Sequence, residues 1–149
     1  MNNNTIYSMI VILLIAVLSF TVYLLLRRKR DIYLPVDELE GHDFEYYCAD
    51  LLKLNGFSEV EVTKGSGDFG VDILALKDGI SYAFQCKCYD RPIGVKAVQE
   101  IYSGRDFYGC MVGVVLTNQY FTGSAKEMAE KLKILLWDRD KLNEMELRD

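Results

Sequence analysis

Gly70-Val71-Asp72-Ile73-Leu74-Ala75-Leu76, the turn Lys77-Asp78-Gly79, and Ser81-Tyr82-Ala83-Phe84-Gln85-Cys86-Lys87-Cys88-Tyr89 together decide the fold. Asp-Gly between two apolar runs is a strong short-range hairpin signal. Alternate residues of a strand share a face. Gln85 and Lys87 therefore point the same way, and Asp72 reaches that face from the partner strand. An acid, an amide and an amine on one sheet face fill a core badly. They suit a metal ion held beside a phosphate.

Outward from this hairpin the chain spells one domain. His42 to Asn55 carries an apolar stripe, Phe44, Tyr47, Cys48, Leu51 and Leu52, at helical spacing, and Asn55-Gly56 ends it. Val60 and Val62 alternate with Glu59 and Glu61, which predicts a first strand. Lys64 to Gly70 is a glycine-rich loop that fits neither a P-loop nor a dinucleotide fingerprint; its glycines allow a close approach of backbone to a ligand. Pro92 and Gly94 interrupt the chain before a second helix, Val95 to about Arg105, with Val95, Val98, Ile101 and Tyr102 inward. Met111 to Thr117 reads as a strand buried on both faces. Thr122 to Lys133 is a third helix, with capping-box spacing at Ser124 and Glu127 and a stripe of Ala125, Met128, Ala129 and Leu132. Ile134 to Trp137 is a last strand and Asp138 to Leu147 a polar terminal helix. An antiparallel start followed by alternating strand and helix predicts an α/β fold, a mixed central sheet with helices on both faces.

The N-terminal part is different. Ile6 to Leu26 is 21 residues without a charge, roughly 31 Å as a helix against a bilayer core of about 30 Å. Positive charge follows this run, at Arg27-Arg28-Lys29-Arg30, and does not precede it. That favours an uncleaved single-pass anchor over a signal peptide, with the C-terminal side in the cytoplasm. The expected organisation is a cell-membrane anchor over residues 1–30 with its basic juxtamembrane cluster, a linker over 31–40, and a cytoplasmic domain over 41–149. From Asp31 onward 22 Asp and Glu stand against 13 Lys and Arg, a net charge of −9. That sign opposes contact with nucleic acid, whose phosphates rest on Lys and Arg. Cys48, Cys86, Cys88 and Cys110 read as buried reduced thiols; Cys86 and Cys88 lie on one strand face, a poor disulfide geometry. A thiol or metal sensor at Cys86 and Cys88 is a weaker reading, since no C-x-x-C pair exists and His42 is the only histidine.

Phe44-Glu45, Gly67-Asp68-Phe69-Gly70-Val71-Asp72, Gln85-Cys86-Lys87, Val98-Gln99-Glu100 and the strand ending at Thr117 resemble the catalytic domain of Mrr-type restriction endonucleases, of the PD-(D/E)xK nuclease superfamily. The resemblance runs from about Gly41 to Leu142 and leaves the apolar segment outside. It implies a restriction-endonuclease-like fold and a metal-dependent DNA endonuclease acting on foreign DNA. Asp72 would be the central metal-binding carboxylate, and Gln85 stands where the wider superfamily has a second acid. Lys87 would orient or activate the attacking water, and Glu45 would be an accessory acid from the first helix. Asp68 and Gln99 would lie in a second layer or on the DNA side.

The chemistry of these residues agrees. A divalent cation removes the repulsion between a phosphodiester and hydroxide and lowers the pKa of a bound water. Mg²⁺ takes oxygen ligands, which Asp72, Gln85, the Cys86 carbonyl and Glu45 supply, and Mn²⁺ is expected to substitute. Gln in place of an acid removes one charge, so metal should bind more weakly. The plainer alternative is that Asp72 caps a loop and Lys87 pairs with it. A second function is a weakly active or inactive nuclease-fold module that binds DNA or a protein at the membrane. Cleavage of both strands would call for a homodimer.

Overall fold

The computed structural model describes residues 12–22, 35–64, 67 and 69–147. The chain divides into two compact units, Met1–Leu34 and Pro35–Asp149. In the first, residues 12–22 form a helix, α1, whose apolar side chains, Ile12, Leu13, Leu14 and Ile15 among them, are exposed. No described helix is long and apolar enough to cross a membrane. The rest of the expected 6–26 span, and Arg27 to Arg30, lie outside the described residues.

In the second unit a 3-10 turn, Val36–Glu38, leads into α2 (Gly41–Leu54), β1 (Ser58–Val62), β2 (Ile73–Lys77), β3 (Ile80–Lys87), α3 (Val95–Phe107), β4 (Val112–Thr117), α4 (Gly123–Leu132), β5 (Ile134–Trp137) and α5 (Arg139–Glu146). The unit starts at Pro35, inside the expected linker. Val36 and Leu39 pack against the core, which binds this short segment to the domain.

The hairpin forms around a two-residue turn. Lys77 pairs with Ile80, and Asp78 and Gly79 both take positive φ, 52° and 78°. That turn matches the right-handed twist of the strands on either side. The sheet order is β1-β2-β3-β4-β5. The first three strands run antiparallel; β3, β4 and β5 run parallel. The antiparallel β2–β3 pair follows from a tight turn, β1 joins through the glycine-containing loop before β2, and the parallel strands follow from the α3 and α4 crossovers.

Each face of the sheet has its own core. Phe44, Cys48, Leu52, Ile73, Phe84, Cys86, Leu116 and Leu142 join α2 and α5 to one face. Val71, Ala83, Val98, Ile101, Val115, Ala125 and Ala129 join α3 and α4 to the other. Strand parity does the sorting: Phe84 and Cys86 face the first core, Ala83 the second, and Gln85 and Lys87 lie on the side of Ala83.

Two helices depart from the sequence reading. On α3 the buried residues are Ala97, Val98, Ile101 and Gly104; Tyr102 is 37 % exposed. Gly104 is buried because the loop before β2 lies against it: a Cβ there would fall 2.6 Å from the Phe69 carbonyl oxygen and 2.5 Å from a Val71 methyl. Close packing selects the small residues and turns the aromatic out. On α4 the cap is Thr122, whose Oγ1 accepts from the Ala125 amide at 3.2 Å. Ser124 and Glu127 therefore make no capping box; Glu127 pairs with Lys131 at 3.0 Å.

Candidate active site

The site forms where the chain enters β2 beside the C-terminal half of β3. The Asp72 amide donates to the Phe84 carbonyl at 2.7 Å, and its own carbonyl accepts from the Thr63 amide at 2.9 Å. This backbone pairing sets the Asp72 side chain beside Gln85. Asp72 is 7 % exposed and Gln85 2 %. Asp72 Oδ2 accepts from Gln85 Nε2 at 2.8 Å and from the Cys86 amide at 2.6 Å. Burial pushes the Asp72 carboxyl above the usual carboxylate range. The Cys86 amide, the Gln85 amide and Lys87 pull it back, and Glu45 adds to the rise. Burial wins because two neutral donors replace less than the full hydration of a carboxylate.

Gln85 Oε1 is the second feature. It is buried and has no hydrogen-bond partner. Leaving a buried acceptor unmade costs about 1–3 kcal/mol, so its position beside Asp72 calls for an explanation. A cation between these oxygens would supply one. The donors are all oxygens, from Asp72, the Gln85 amide and the backbone, which fits Mg²⁺ or Mn²⁺ and not a thiolate metal. No group of three or more His, Cys, Asp and Glu is arranged to hold a metal among the described residues. One carboxylate is replaced here by an amide, so the set cannot be recognised by counting acids.

Lys87 lies on the same face, but its ion pair is not with Asp72. Its Nζ is 3.5 Å from Glu100 Oε2 on α3, and Lys96 Nζ is 3.6 Å from the other oxygen of that carboxylate. This displaces the plainer expectation of an Asp72–Lys87 pair. Glu45 comes from α2, is partly buried, and has its Oε2 on His42 Nδ1 at 2.8 Å. Its charge adds to the rise of the Asp72 carboxyl. Gln99 is exposed, and Asp68 lies outside the described residues. Glu100 is the residue that the sequence reading passed over. The signal was available in its spacing of four from Lys96, which puts the two on one helix face.

Two glycines hold the loop before Asp72 against α3. Gly70 has φ +80°, and a Cβ on it would lie 2.8 Å from Glu100 Cβ; Gly104 meets Phe69 and Val71 from the helix side. The loop therefore fixes both Asp72, two residues on, and the helix that carries Glu100.

The thiols stand apart from this chemistry. All four cysteines are free. Cys86 faces the opposite core, where its contact with Cys48 and its burial push its thiol up; burial does the same to Cys88 and Cys110. Cys88 Sγ rests on the Val36 carbonyl at 3.3 Å. Protonated thiols packed in this way oppose the sensor reading.

Similarity to known proteins bears on the fold and the family. Among solved structures, a protein of unknown function, AF1548, superposes with a TM-score of 0.57 at 25 % identity over 66 % of this chain. The DNA modification-dependent restriction endonuclease AspBHI gives 0.55 at 21 % over 70 %, and VC1899 from Vibrio cholerae 0.53 at 14 % over 70 %. The last two identities speak for the fold alone. The chain spans 58 %, 30 % and 32 % of these three chains. No curated protein matches it. The Mrr catalytic-domain family, described as a restriction endonuclease, matches residues 36–146. That match covers the whole sheet and every described residue of the site, and the chain belongs to the Mrr-type restriction endonuclease family.

Proposed function

We propose that the chain is a divalent-metal-dependent endonuclease that hydrolyses DNA phosphodiester bonds, acting on foreign DNA. The observation that carries this is the buried Asp72–Gln85 pair with its orphaned Gln85 Oε1, on the sheet face that also presents Lys87. Asp72, Gln85, the Cys86 carbonyl and Glu45 are the proposed ligands of Mg²⁺ or Mn²⁺. When bound, such a cation neutralises phosphate charge and acidifies a water. Lys87 donates to the scissile phosphate or orients the attacking water. Glu100 holds the Lys87 ammonium at 3.5 Å. Gln99 and Asp68 are proposed outer residues on the DNA side. Plasmid DNA with Mg²⁺ or Mn²⁺ tests the proposal: wild type should cut and Asp72→Ala should not. Identical behaviour of the two under all conditions removes it.

The proposed setting is the cell membrane, with residues 6–26 as a single-pass anchor and the nuclease domain in the cytoplasm. An uncharged run of bilayer length followed by Arg27 to Arg30 supports it, as do the exposed apolar side chains of α1, which lipid would cover. Partition of the full-length chain into membrane pellets that resist high salt is the expected result. Full extraction by salt alone would end that reading. Cutting both strands would use a homodimer, which a concentration-dependent rate would reveal. One observation favours a second reading, a module that binds DNA or protein without cutting: the net charge of −9 together with an amide where an acid would bind metal more strongly. Under it, DNA binding survives Lys87→Ala and no cleavage occurs.

A further inference from the structure

After Lys87 the chain turns through Tyr89-Asp90-Arg91-Pro92 into α3 and leaves a cavity of about 340 Å³. It is lined by Lys87, Tyr89, Arg91, Gly94, Lys96 and Glu100 among others. Its charge opposes that of the domain, with three cations against one carboxylate. Glu100 lies between Lys87 and Lys96 and divides one negative charge over two ammonium groups. The Lys96 side chain is 86 % exposed. Arg91 enters no ion pair among the described residues; its guanidinium lies 5.9 Å from the centroid of the Tyr89 ring. Tyr89 is 48 % exposed, yet its backbone is held at both ends by Asn118, through bonds of 2.9 and 3.0 Å. Gly94 opens α3 without a side-chain cap, which adds the positive end of the helix.

We infer that this cavity is a subsite for an unpaired nucleotide of the strand being cut. Arg91 and Lys96 hold the phosphate next to the scissile one, and Tyr89 stacks its base. The inference rests on the reading of Lys87 as the residue at the scissile phosphate. A cationic groove with an exposed aromatic face is the arrangement that holds single strands, because every base offers a π-face and no base edge need be read. A base inside a duplex keeps that face covered by its neighbours. The substrate is therefore DNA that is single-stranded or opened at the cut site.

Fluorescence anisotropy tests this on the full-length chain, with chelator present so that no strand is cut. The probes are a labelled single-stranded DNA of mixed sequence and its duplex. The single strand should bind about tenfold tighter, Tyr89→Ala should weaken it roughly 5- to 100-fold, and Tyr89→Phe should restore it. Arg91→Ala and Lys96→Ala should each lower the slope of log K against log salt by about 0.7. Lys96→Glu, on a side chain in solvent, keeps the test readable if another variant does not fold. Equal affinity for duplex and single strand, or unchanged slopes, overturns the subsite. Cleavage assays separate the two ideas. Cutting with unchanged slopes removes the subsite and keeps the nuclease; the expected binding without any cutting does the reverse.

Discussion

Asp72→Asn should make the metal-free protein more stable. The carboxylate is 7 % exposed, its two hydrogen-bond donors are neutral groups that share Oδ2, and burial holds its pKa above the ordinary value of about 3.9. The folded state therefore prefers the uncharged form. An amide of the same shape keeps the bond from the Cys86 amide through its oxygen. That oxygen also keeps the bond from Gln85 Nε2, so both hydrogen bonds survive while the buried charge is removed. Relieving the desolvation penalty of the buried charge is worth about 1–3 kcal/mol. For a domain of this size each kcal/mol moves Tm by about 4 °C, so the expected rise is about 4–12 °C. A carboxyl raised in the folded state contributes stability below its unfolded pKa and loses it as pH rises through the folded value. The gap between variant and wild type should thus be small near pH 4, open as pH rises, and then level off. Thermal melts in chelator across that range measure it. Adding Mg²⁺ or Mn²⁺ should raise the wild type, by about 2.7 kcal/mol at a hundredfold excess over Kd, and leave the variant unmoved. A variant that melts below the wild type at every pH in chelator, or a gap that ignores pH, refutes the reasoning.

Other perturbations probe the frame around this carboxylate. Gly104→Ala should destabilise the domain by about 1–3 kcal/mol in denaturant unfolding, although Ala is the better helix former, because the new methyl meets the Phe69 carbonyl and Val71; an unchanged midpoint would deny the close packing. Glu100→Gln removes the one acid of the cationic cavity and the partner of Lys87. DNA should bind more tightly while the cutting rate falls about tenfold, and a loss of both would place Glu100 elsewhere in the mechanism. Asp37 accepts from Asn118 at 2.9 Å and pairs with Arg139, and the Asn118 bond above all holds its carboxyl below the usual range. A lowered carboxylate contributes stability above its unfolded pKa and loses it as pH falls through the folded value. Asp37→Asn should therefore flatten the acid limb of a stability profile below about pH 4, which urea midpoints against pH would show.

The hairpin and the polar face it carries were legible because they depend on local rules. Asp78-Gly79 fixes the turn, the turn fixes the register, and a period of two then assigns Asp72, Gln85 and Lys87 to one side. Helical phase was less legible. Tyr102 reads as inward because it is aromatic, but the loop at Phe69 to Val71 lies so close to α3 that only Gly104 fits. This small rotation of the buried stripe leaves Gln99 in solvent and turns Glu100 toward Lys87. The segment from Pro35 to Leu39 failed to read as domain for a similar reason. Its acids are conspicuous, while the two apolar side chains that dock it are too few to form a pattern. Asp37 among those acids is not a linker charge at all; through Asn118 it joins the loop that carries Tyr89.

Net charge was the main objection to a nucleic-acid partner, and its distribution answers it. At physiological salt the Debye length is about 8 Å. A phosphate at the mouth of the cavity feels Lys87, Arg91, Lys96 and Glu100 far more strongly than it feels acids on the other side of the sheet. Asp50, for example, lies on α2 across the sheet, and Glu59 and Glu61 lie on the edge strand β1, not on the cavity wall. Under the proposed function, an acidic domain with this cationic opening would repel DNA wherever the opening does not face it. It gives up non-specific binding along the rest of its surface and keeps the contact that the chemistry needs. The same logic explains an amide at position 85. Asp72 already sits buried with Glu45 nearby and its carboxyl pushed up. A second buried acid there would raise both further and leave like charges side by side whenever metal is absent. Under the proposed function Gln85 would keep one oxygen for a cation while its NH₂ bonds Asp72, so that the domain folds without the ion at the expense of binding it less tightly.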